Sequence, residues 1–480
     1  GQGRRTLGRD AAGQEPAAAD VAPPLGRAPA VSEPRDDAAP HDDPGVRRRT
    51  ALNTVANVGG TAVMMATGFI MTPVILGYLG AGLYGLWAVL GAMAGYGALL
   101  DLGIAAAVTK YVAEYRARGD HDALGRMVST AAALYLGLGL CALVLFVALA
   151  PWVPSVLNVP AAQRDVAVDL TRVVGLAVAV AIPAVLTNAI LRGVQRFGLA
   201  NLIAVTGTLL GALAAVVVIA RDAGILWLAA VAVPITVLTQ VPAVVLVRRA
   251  LPGLALNVRW VTWREAMRLL SYSWSLFVGQ AVGQLHGKTD EIVIGARMPV
   301  ADVTPYAVAR RLSDVPQLVS AQFTKTLLPI ASSTHAVAED RLTAVYLVGL
   351  RVSLALFIPL GIVVAVFAGP ILTVWVGSEH ATGTLVVQIL VLAGLLDTTL
   401  WPAAAVLQGM NRHRLLAAAT AASGVMNLVL SLALVGPYGA TGVAVGTLIP
   451  TVAEVAFVVT PLTLRALGCR VTDVLRESVL

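Results

Sequence analysis

The sequence predicts an all-α integral membrane protein, with about twelve spanning helices in two six-helix lobes related by a parallel internal repeat. Three observations carry this. From about Arg47 onward, apolar stretches follow one another, each long enough to cross a bilayer, which takes roughly 20 mainly apolar residues. The basic residues gather in every second loop. The last three stretches of the first half recur in the second half at a fixed offset. The composition agrees: 58% hydrophobic and 13% charged, with a mean hydropathy of +0.80. No ordinary soluble domain of this length reads that way.

Residues 1–46 are rich in Ala, Pro, Gly, Arg and Asp and poor in large apolar residues. Such a segment cannot bury enough surface to offset its ordering entropy, so a disordered cytoplasmic tail is expected. The chain opens with Gly rather than Met, which leaves its true start open. A cleaved signal peptide is not expected, because residues 1–46 lack an apolar core. Apolar segments then begin near residues 52, 83, 126, 166, 198, 224, 268, 303, 342, 382, 414 and 438.

The charges set the topology, since Lys and Arg accumulate in cytoplasmic loops. Arg47, Arg48 and Arg49 precede segment one; Lys110, Arg116 and Arg118 follow segment two; Arg192 and Arg196 follow segment four. Arg248, Arg249, Arg259 and Arg264 separate segments six and seven, Arg412 and Arg414 follow segment ten, and Arg465 and Arg470 follow segment twelve. The other loops carry little beyond Arg164, Arg221 and Arg297. Both termini are therefore expected in the cytoplasm. The net charge of +7 is largely this bias, so no nucleic-acid partner is needed to explain it. The longest outer loops, around 151–165 and 376–384, are too short for a folded domain, which places the working part within the membrane. Cys141 and Cys469 fall in segment three and near the last cytoplasmic end, and no disulfide is expected.

Segments four to six resemble segments ten to twelve. LRGVQR at 191–196 aligns with LQGMNR at 407–412, and the same offset of 216 carries Pro234 onto Pro450 without a gap. Six helices separate the copies, so they share an orientation. The expected domains are a first lobe at 51–250, a basic linker at 251–264, a second lobe at 265–468, and a C-terminal tail at 469–480.

Charged residues are costly inside a bilayer and face a cavity or a partner. Here they concentrate in segments seven and eight: Lys288, Asp290, Glu291, Arg310, Arg311, Asp314 and Lys325. The helical period puts Gln280, Gln284, Lys288 and Glu291 on one stripe, and Arg310, Ser313, Asp314, Gln317, Ser320 and Thr324 on another. With Arg297, five cations face three anions, a net positive site able to hold an anionic headgroup; Arg is suited to phosphate by its bidentate fork. The competing reading is a self-neutralised network in which Arg310 pairs with Asp314 at i,i+4. Arg351 is another deep cation, lining the cavity or tying two helices. Asn53, Asn57 and Thr61 form a neutral polar stripe, expected as the facing wall of the first lobe. Asp101 and Lys110 are expected to fix the end of segment two structurally. Gly279, Gly283 and Gly287 form a small-residue ridge that permits close helix approach. GQLHGKT at 283–289 is one residue short of a phosphate loop, follows no strand and lies in the membrane, so it is not read as one. Prolines at 73, 183, 234, 316, 359, 402 and 450 are expected to kink spans. The six His are scattered, and neither metal nor catalytic residues are expected.

Four stretches resemble a known family. They are LGYLGAGLYGLWAVLGAMAGYGALLDLGIAAAVTKYVAEYRARGD at 76–120, GKTDEIVIG at 287–295 followed by YAVARRL at 306–312, the LxGxxR pair, and GVMNLVLSLALVGPYGATGVAVGTLIP at 424–450. They resemble the Wzx-like polysaccharide flippases of the multidrug/oligosaccharidyl-lipid/polysaccharide (MOP) exporter superfamily, over nearly all of 50–468. Thr304-Pro305-Tyr306 departs from the Val-Gly-Tyr usual in that family. The resemblance implies a MATE-like fold in a bacterial plasma membrane. It implies translocation of a polyprenyl-pyrophosphate-linked oligosaccharide from inner to outer leaflet by alternating access. Arg310 and Arg311, with Lys288 or Lys325, would neutralise the phosphates. The partners implied are the lipid-linked glycan, membrane lipids, and a polysaccharide polymerase with other assembly proteins. No cofactor is expected; coupling to a proton or sodium gradient stays open, with Asp290, Glu291 and Asp314 as the acids able to carry it. The alternative is a cation-coupled multidrug exporter of the same superfamily, against which stands the lack of an acid in segment one. A membrane-embedded glycosyltransferase needs a sizeable outer loop that the sequence lacks.

Overall fold

The structure, a computed structural model, describes residues 44–324, 342–410 and 413–469. The described helices are α1 (Pro44–Gly97), α2 (Ile104–Arg118), α3 (His121–Leu149), α4 (Arg164–Gly193), α5 (Phe197–Ala220) and α6 (Ala232–Ala250) in the first half. The second half holds α7 (Trp263–Arg297), α8 (Val303–Thr324), α9 (Leu342–Val366), α10 (Thr384–Gly409), α11 (His413–Ala453) and α12 (Thr460–Leu467). A π-helical turn, Glu454–Val459, joins α11 to α12. From Leu52 onward they belong to one compact unit.

Among the described residues, eight stretches are long and apolar enough to cross a membrane, where the sequence led us to expect about twelve. Two physical reasons account for the difference. α1 and α11 each contain two helices meeting at a glycine, Gly80 (φ 69°, ψ 169°) and Gly439 (φ 59°, ψ −144°). Positive φ costs a glycine little, so the chain turns there with hardly a loop. α7 and α8 are helical but are not among the eight, because they carry the charged cluster. The prolines do not break the helices: Pro73, Pro183, Pro316, Pro359, Pro402 and Pro450 all lie inside continuous ones. The chain is a multi-pass membrane protein. Its outward faces fit lipid; Leu136, Leu140 and Val144, one turn apart on α3, are all exposed, as a bilayer-facing helix requires.

Where a helix must end in water, the sequence supplies the cap. Gly119 (φ 69°) closes α2, and the Asp120 carboxylate then accepts from Ala123 N at 2.9 Å to start α3, a side-chain N-cap following a glycine C-cap. The LxGxxR copies end their helices alike. Val194 N donates to Ile190 O at 3.0 Å, and Met410 N donates to Val406 O at 2.9 Å. The 216-residue offset of the sequence is thus also an offset between equivalent helix ends.

Three hydrophobic cores explain how the cavities arise. The largest draws on both halves: Tyr84, Leu86, Val89 and Leu90 of α1 pack with Val293, Ile294, Val303 and Tyr306 of α7 and α8. It lies at the end where α1 turns at Gly80, the expected outer end. The second core is built from α2, α3, α4, α5 and α6, with Leu269 of α7 as its one member from beyond the linker. The third lies wholly in the second half, around Tyr346, Val406 and Leu464. The halves therefore share a core at the Gly80 end and have largely separate cores elsewhere. Polar contacts reinforce the shared end. Thr304 Oγ1 donates to Ala81 O at 2.6 Å, and Asn158 Nδ2 donates to Ala296 O at 2.9 Å.

Candidate functional site

The charged cluster read from segments seven and eight is a compact network. Asp290, with its side chain 2% exposed, accepts from Tyr306 Oη at 2.5 Å and from Thr447 Oγ1 at 3.0 Å. Thr447 in turn accepts from Asn427 Nδ2 at 2.8 Å. Arg310 stands between two carboxylates, 3.7 Å from Asp290 and 3.1 Å from Asp314. One buried acid thereby ties α7 to α8 and α11, and the Arg310 guanidinium is largely engaged by carboxylates. The Tyr306 and Thr447 hydroxyls and the Arg310 guanidinium all converge on Asp290 Oδ2, which offsets part of the cost of burying the pair.

Around this network lie three cavities. The first, about 1010 Å³, is walled by α1, α2, α4 and α5, with Gln280 and Gln322 reaching in from the second half. Among the described residues its cations are Lys110 and Arg192, its amides include Asn188 and Asn201, and no acid lines it. Lys110 Nζ is held 4.3 Å from the Tyr272 ring centroid and 4.9 Å from that of Tyr111. The second cavity, about 790 Å³, is a groove between α1 and α8, lined almost entirely by apolar groups such as Val58, Met65, Phe69 and Val319. Arg311 borders it and latches the two helices, its Nη1 donating to Thr72 Oγ1 at 2.5 Å and to Gly68 O at 3.3 Å. The third, about 570 Å³, lies among α7, α8, α10 and α11 and reaches Glu454. It holds Lys288 and Arg310 against Asp314, Asp397 and Glu454, with Gln317, Trp401, Gln408 and Thr420. Thr61 and Gln322 border both the first cavity and the groove, while Asp314 and Leu318 border both the groove and the third.

The first and third cavities are copies of each other. Val185, Asn188, Arg192, Ala200 and Ala204 line the first. Trp401, Ala404, Gln408, Leu416 and Thr420, each 216 residues further along, line the third. The repeat has kept the cavity and changed its chemistry. The copy with Arg192 is cationic; the copy with Gln408 has gained an aromatic ring and is bordered by carboxylates.

A family model described as "Polysaccharide biosynthesis protein" matches residues 83–384, which includes α2 to α9 and reaches the start of α10. The chain belongs to the polysaccharide biosynthesis protein family. A curated relative, named "Probable low-salt glycan biosynthesis flippase Agl15" from Haloferax volcanii, is 27% identical over 198 residues. That match covers 41% of this chain and 42% of the relative, so the chain spans about two fifths of the length of the curated relative it matches. Two solved structures share the fold. An inward-facing multidrug resistance MATE transporter of the MOP superfamily aligns with TM-score 0.72 at 14% identity, covering 85% of this chain and 95% of that one. The lipid II flippase MurJ, inward closed, aligns with TM-score 0.66 at 13% identity, covering 89% and 90%.

In this polysaccharide biosynthesis protein the residues read from the sequence are distributed as follows. Lys288, Arg310, Asp314 and Gln317 do converge on one cavity. Among the described residues Asp397 and Glu454 join Asp314 there; their hydrogen-bond partners lie 80 residues away (Gln317 to Asp397, 3.2 Å) and 34 residues away (Thr420 to Glu454, 2.6 Å). Arg310 and Arg311 face different cavities, since α8 turns one into the third cavity and the other to the groove. Ser313 and Ser320 leave the polar stripe: both are buried and donate to the carbonyls of Arg310 and Ser353. Gln280 lines the first cavity, whereas Gln284 faces Gly95 of α1. Arg351 is exposed and borders none of the three cavities. Lys325, and the side chains of Asn53 and Asn57, lie outside the described residues. Asp101 is structural, as expected, accepting from Tyr135 Oη at 2.5 Å and Ala105 N at 3.2 Å. Lys110 is not merely structural, for it lines the acid-free cavity. That cavity was missed because Lys110 and Arg192 read as loop cations; projecting the 216-residue offset onto facing helix positions would have found it. Among the described residues no group of three or more His, Cys, Asp or Glu could hold a metal ion.

Proposed function

We propose that this protein translocates a polyprenyl-pyrophosphate-linked oligosaccharide from the inner to the outer leaflet of a bacterial plasma membrane. The observation that carries the proposal is the junction at Thr61 and Gln322 between an acid-free cationic cavity and an apolar groove. A lipid with an anionic headgroup needs both, side by side. The pyrophosphate lies against Lys110 and Arg192, and the polyprenyl chain leaves through the groove between α1 and α8. Point charges and amide donors that converge on one cavity hold phosphate well. The glycan-flippase description of the curated relative and the chain's family support the same reading.

Alternating access supplies the movement. The core shared by both halves closes the outer end, and the cavities lie toward the other end, an inward-facing arrangement with both termini in the cytoplasm. Separating that core while closing the separate cores of 52–250 and 265–468 against each other would turn the cavities outward. Any coupling to a proton or sodium gradient falls to Asp290, Glu291 and Asp314, which sit where α7 meets α8. Polymerase and assembly proteins are the proposed partners.

Native mass spectrometry of the purified protein with polyprenyl pyrophosphate tests the headgroup site. Replacing Lys110 and Arg192 by Ala is expected to weaken binding about tenfold per cation, the worth of a hydrogen bond to a charged group. Unchanged affinity in the folded double variant refutes the site. Failure of the lipid to bind, with binding of small organic cations instead, moves the assignment to a drug exporter.

A further inference from the structure

We infer that Tyr272 is a positioning residue for the headgroup: its ring, with that of Tyr111, seats the Lys110 ammonium where the pyrophosphate meets it. The inference rests on the flippase reading and adds a residue to its site. Lys110 lines the first cavity, and Tyr272 stands behind it, outside the lining. Tyr272 therefore acts on the headgroup through Lys110. The Lys110 Nζ lies 4.3 Å from the Tyr272 ring centroid and 4.9 Å from that of Tyr111, inside the ~6 Å over which a ring face attracts a cation. The two rings meet edge to face, with centroids 5.9 Å apart and planes at 61°, an arrangement aromatic pairs favour. Tyr111 adjoins Lys110 on α2 and is buried in the second core. Tyr272 comes from α7, on the far side of the linker, so one ring of the seat is supplied only by folding.

The packing holds that ring in place. Leu269, three residues before Tyr272, is fully buried in the second core and fixes the start of α7. Arg268, one turn before Tyr272, lies 4.6 Å from the Tyr111 centroid and 5.6 Å from that of Tyr115, and its Nη1 donates to Tyr115 Oη. Tyr111 and Tyr115 stack one turn apart on α2, with centroids 6.0 Å apart. Side chains one turn apart on each helix thus interleave, and Tyr272 is kept against Lys110. A ring also differs from a carboxylate in what it does to an ammonium. A carboxylate neutralises it, whereas a ring attracts it through its quadrupole and leaves the full charge to face phosphate. Lys is long and flexible, and seating it before the lipid arrives spares its ordering on binding, which raises affinity about two- to tenfold.

The test measures binding of polyprenyl pyrophosphate to purified protein in nanodiscs. Tyr272→Leu is expected to weaken binding about two- to tenfold, and Tyr272→Phe, which keeps the ring, to stay within about twofold of the wild type. In a Lys110→Ala background Tyr272→Leu is expected to change nothing further, because the residue it positions is gone. Phenylalanines bearing one, two and three fluorines, incorporated at position 272, keep the shape of the ring while draining its negative face. Binding is expected to weaken stepwise along that series, which gives an answer even if Tyr272→Leu fails to fold. A clasp that only ties α2 to α7 gives a different pattern: the same loss from Tyr272→Leu with or without Lys110, and no trend with fluorine. Either result overturns the positioning role, as does unchanged or tighter binding in Tyr272→Leu, or a Tyr272→Phe that binds no better than Tyr272→Leu. Failure of the wild type to bind the lipid overturns the flippase reading instead, and the positioning role falls with it.

Discussion

Arg310→Ala should destabilise the fold, and Asp290→Asn should largely repair the damage. Arg310 stands 3.7 Å from Asp290, and the Asp290 side chain is only 2% exposed. Removing one member of a buried pair leaves an uncompensated charge and costs about 3–5 kcal/mol. Asp290 keeps the hydroxyls of Tyr306 and Thr447, so the lower figure, about 3 kcal/mol, applies. The contact to Asp314 adds little, because that side chain is 38% exposed and an i,i+4 pair open to solvent contributes about 0.3–0.5 kcal/mol. In Arg310→Ala/Asp290→Asn no buried charge is orphaned, and the residual loss is expected near 1 kcal/mol, one ordinary hydrogen bond. Apparent unfolding midpoints in detergent, with the single and double variants run together, give the order: wild type, then double, then Arg310→Ala. Refutation is clear. If Arg310→Ala melts like the wild type but no longer binds polyprenyl pyrophosphate, the guanidinium is free for the headgroup and the network described above is not what holds it.

Three further outcomes are expected. In Gly85→Ala the new Cβ would sit 2.0 Å from the Val300 carbonyl oxygen; backbone cannot yield as a side chain does, so the outer seal should loosen at a cost of about 1–3 kcal/mol, read as a lowered midpoint and faster labelling of an outer-end cysteine by an impermeant reagent. Tyr135→Phe removes the hydroxyl from Asp101, leaving a half-buried carboxylate with the Ala105 amide; denaturation should show a loss of about 1–3 kcal/mol, and Asp101→Asn in the same protein should restore part of it. Arg311→Ala releases the latch to Thr72 and Gly68, so spin labels at Met65 and Val319, on opposite walls of the groove, should move apart; an unchanged distance would mean the apolar contacts alone set the groove.

Much of the architecture was legible because the bilayer imposes it. Apolar length and loop charge reported the helices, and the LxGxxR pair reported equivalent helix ends, Gly193 and Gly409. The breaks at Gly80 and Gly439 were legible as segment boundaries near 83 and 438, but nothing in the hydropathy shows that a single positive-φ glycine, rather than a loop, makes each one. Within the site, the local pair Arg310–Asp314 could be read from spacing, since i,i+4 neighbours must meet. Asp397 and Thr72 could not, because the contacts that define them join residues 80 and 239 positions apart. The acid-bearing wall of the third cavity and the acid-free wall of the first are properties of folded surfaces. The charges of α7 and α8 could be summed from the sequence, but the acids that join them in the folded cavity come from α10 and the π-helical turn.

The most direct measurement is flipping of a fluorescent polyprenyl-pyrophosphate oligosaccharide by the purified protein in liposomes, beside Lys110→Ala/Arg192→Ala. The account predicts transport by the wild type and its loss in a variant that still melts normally. Transport at the wild-type rate in that variant would contradict the headgroup site. A wild type that leaves the lipid in place while moving small organic cations along a gradient would contradict the flippase itself.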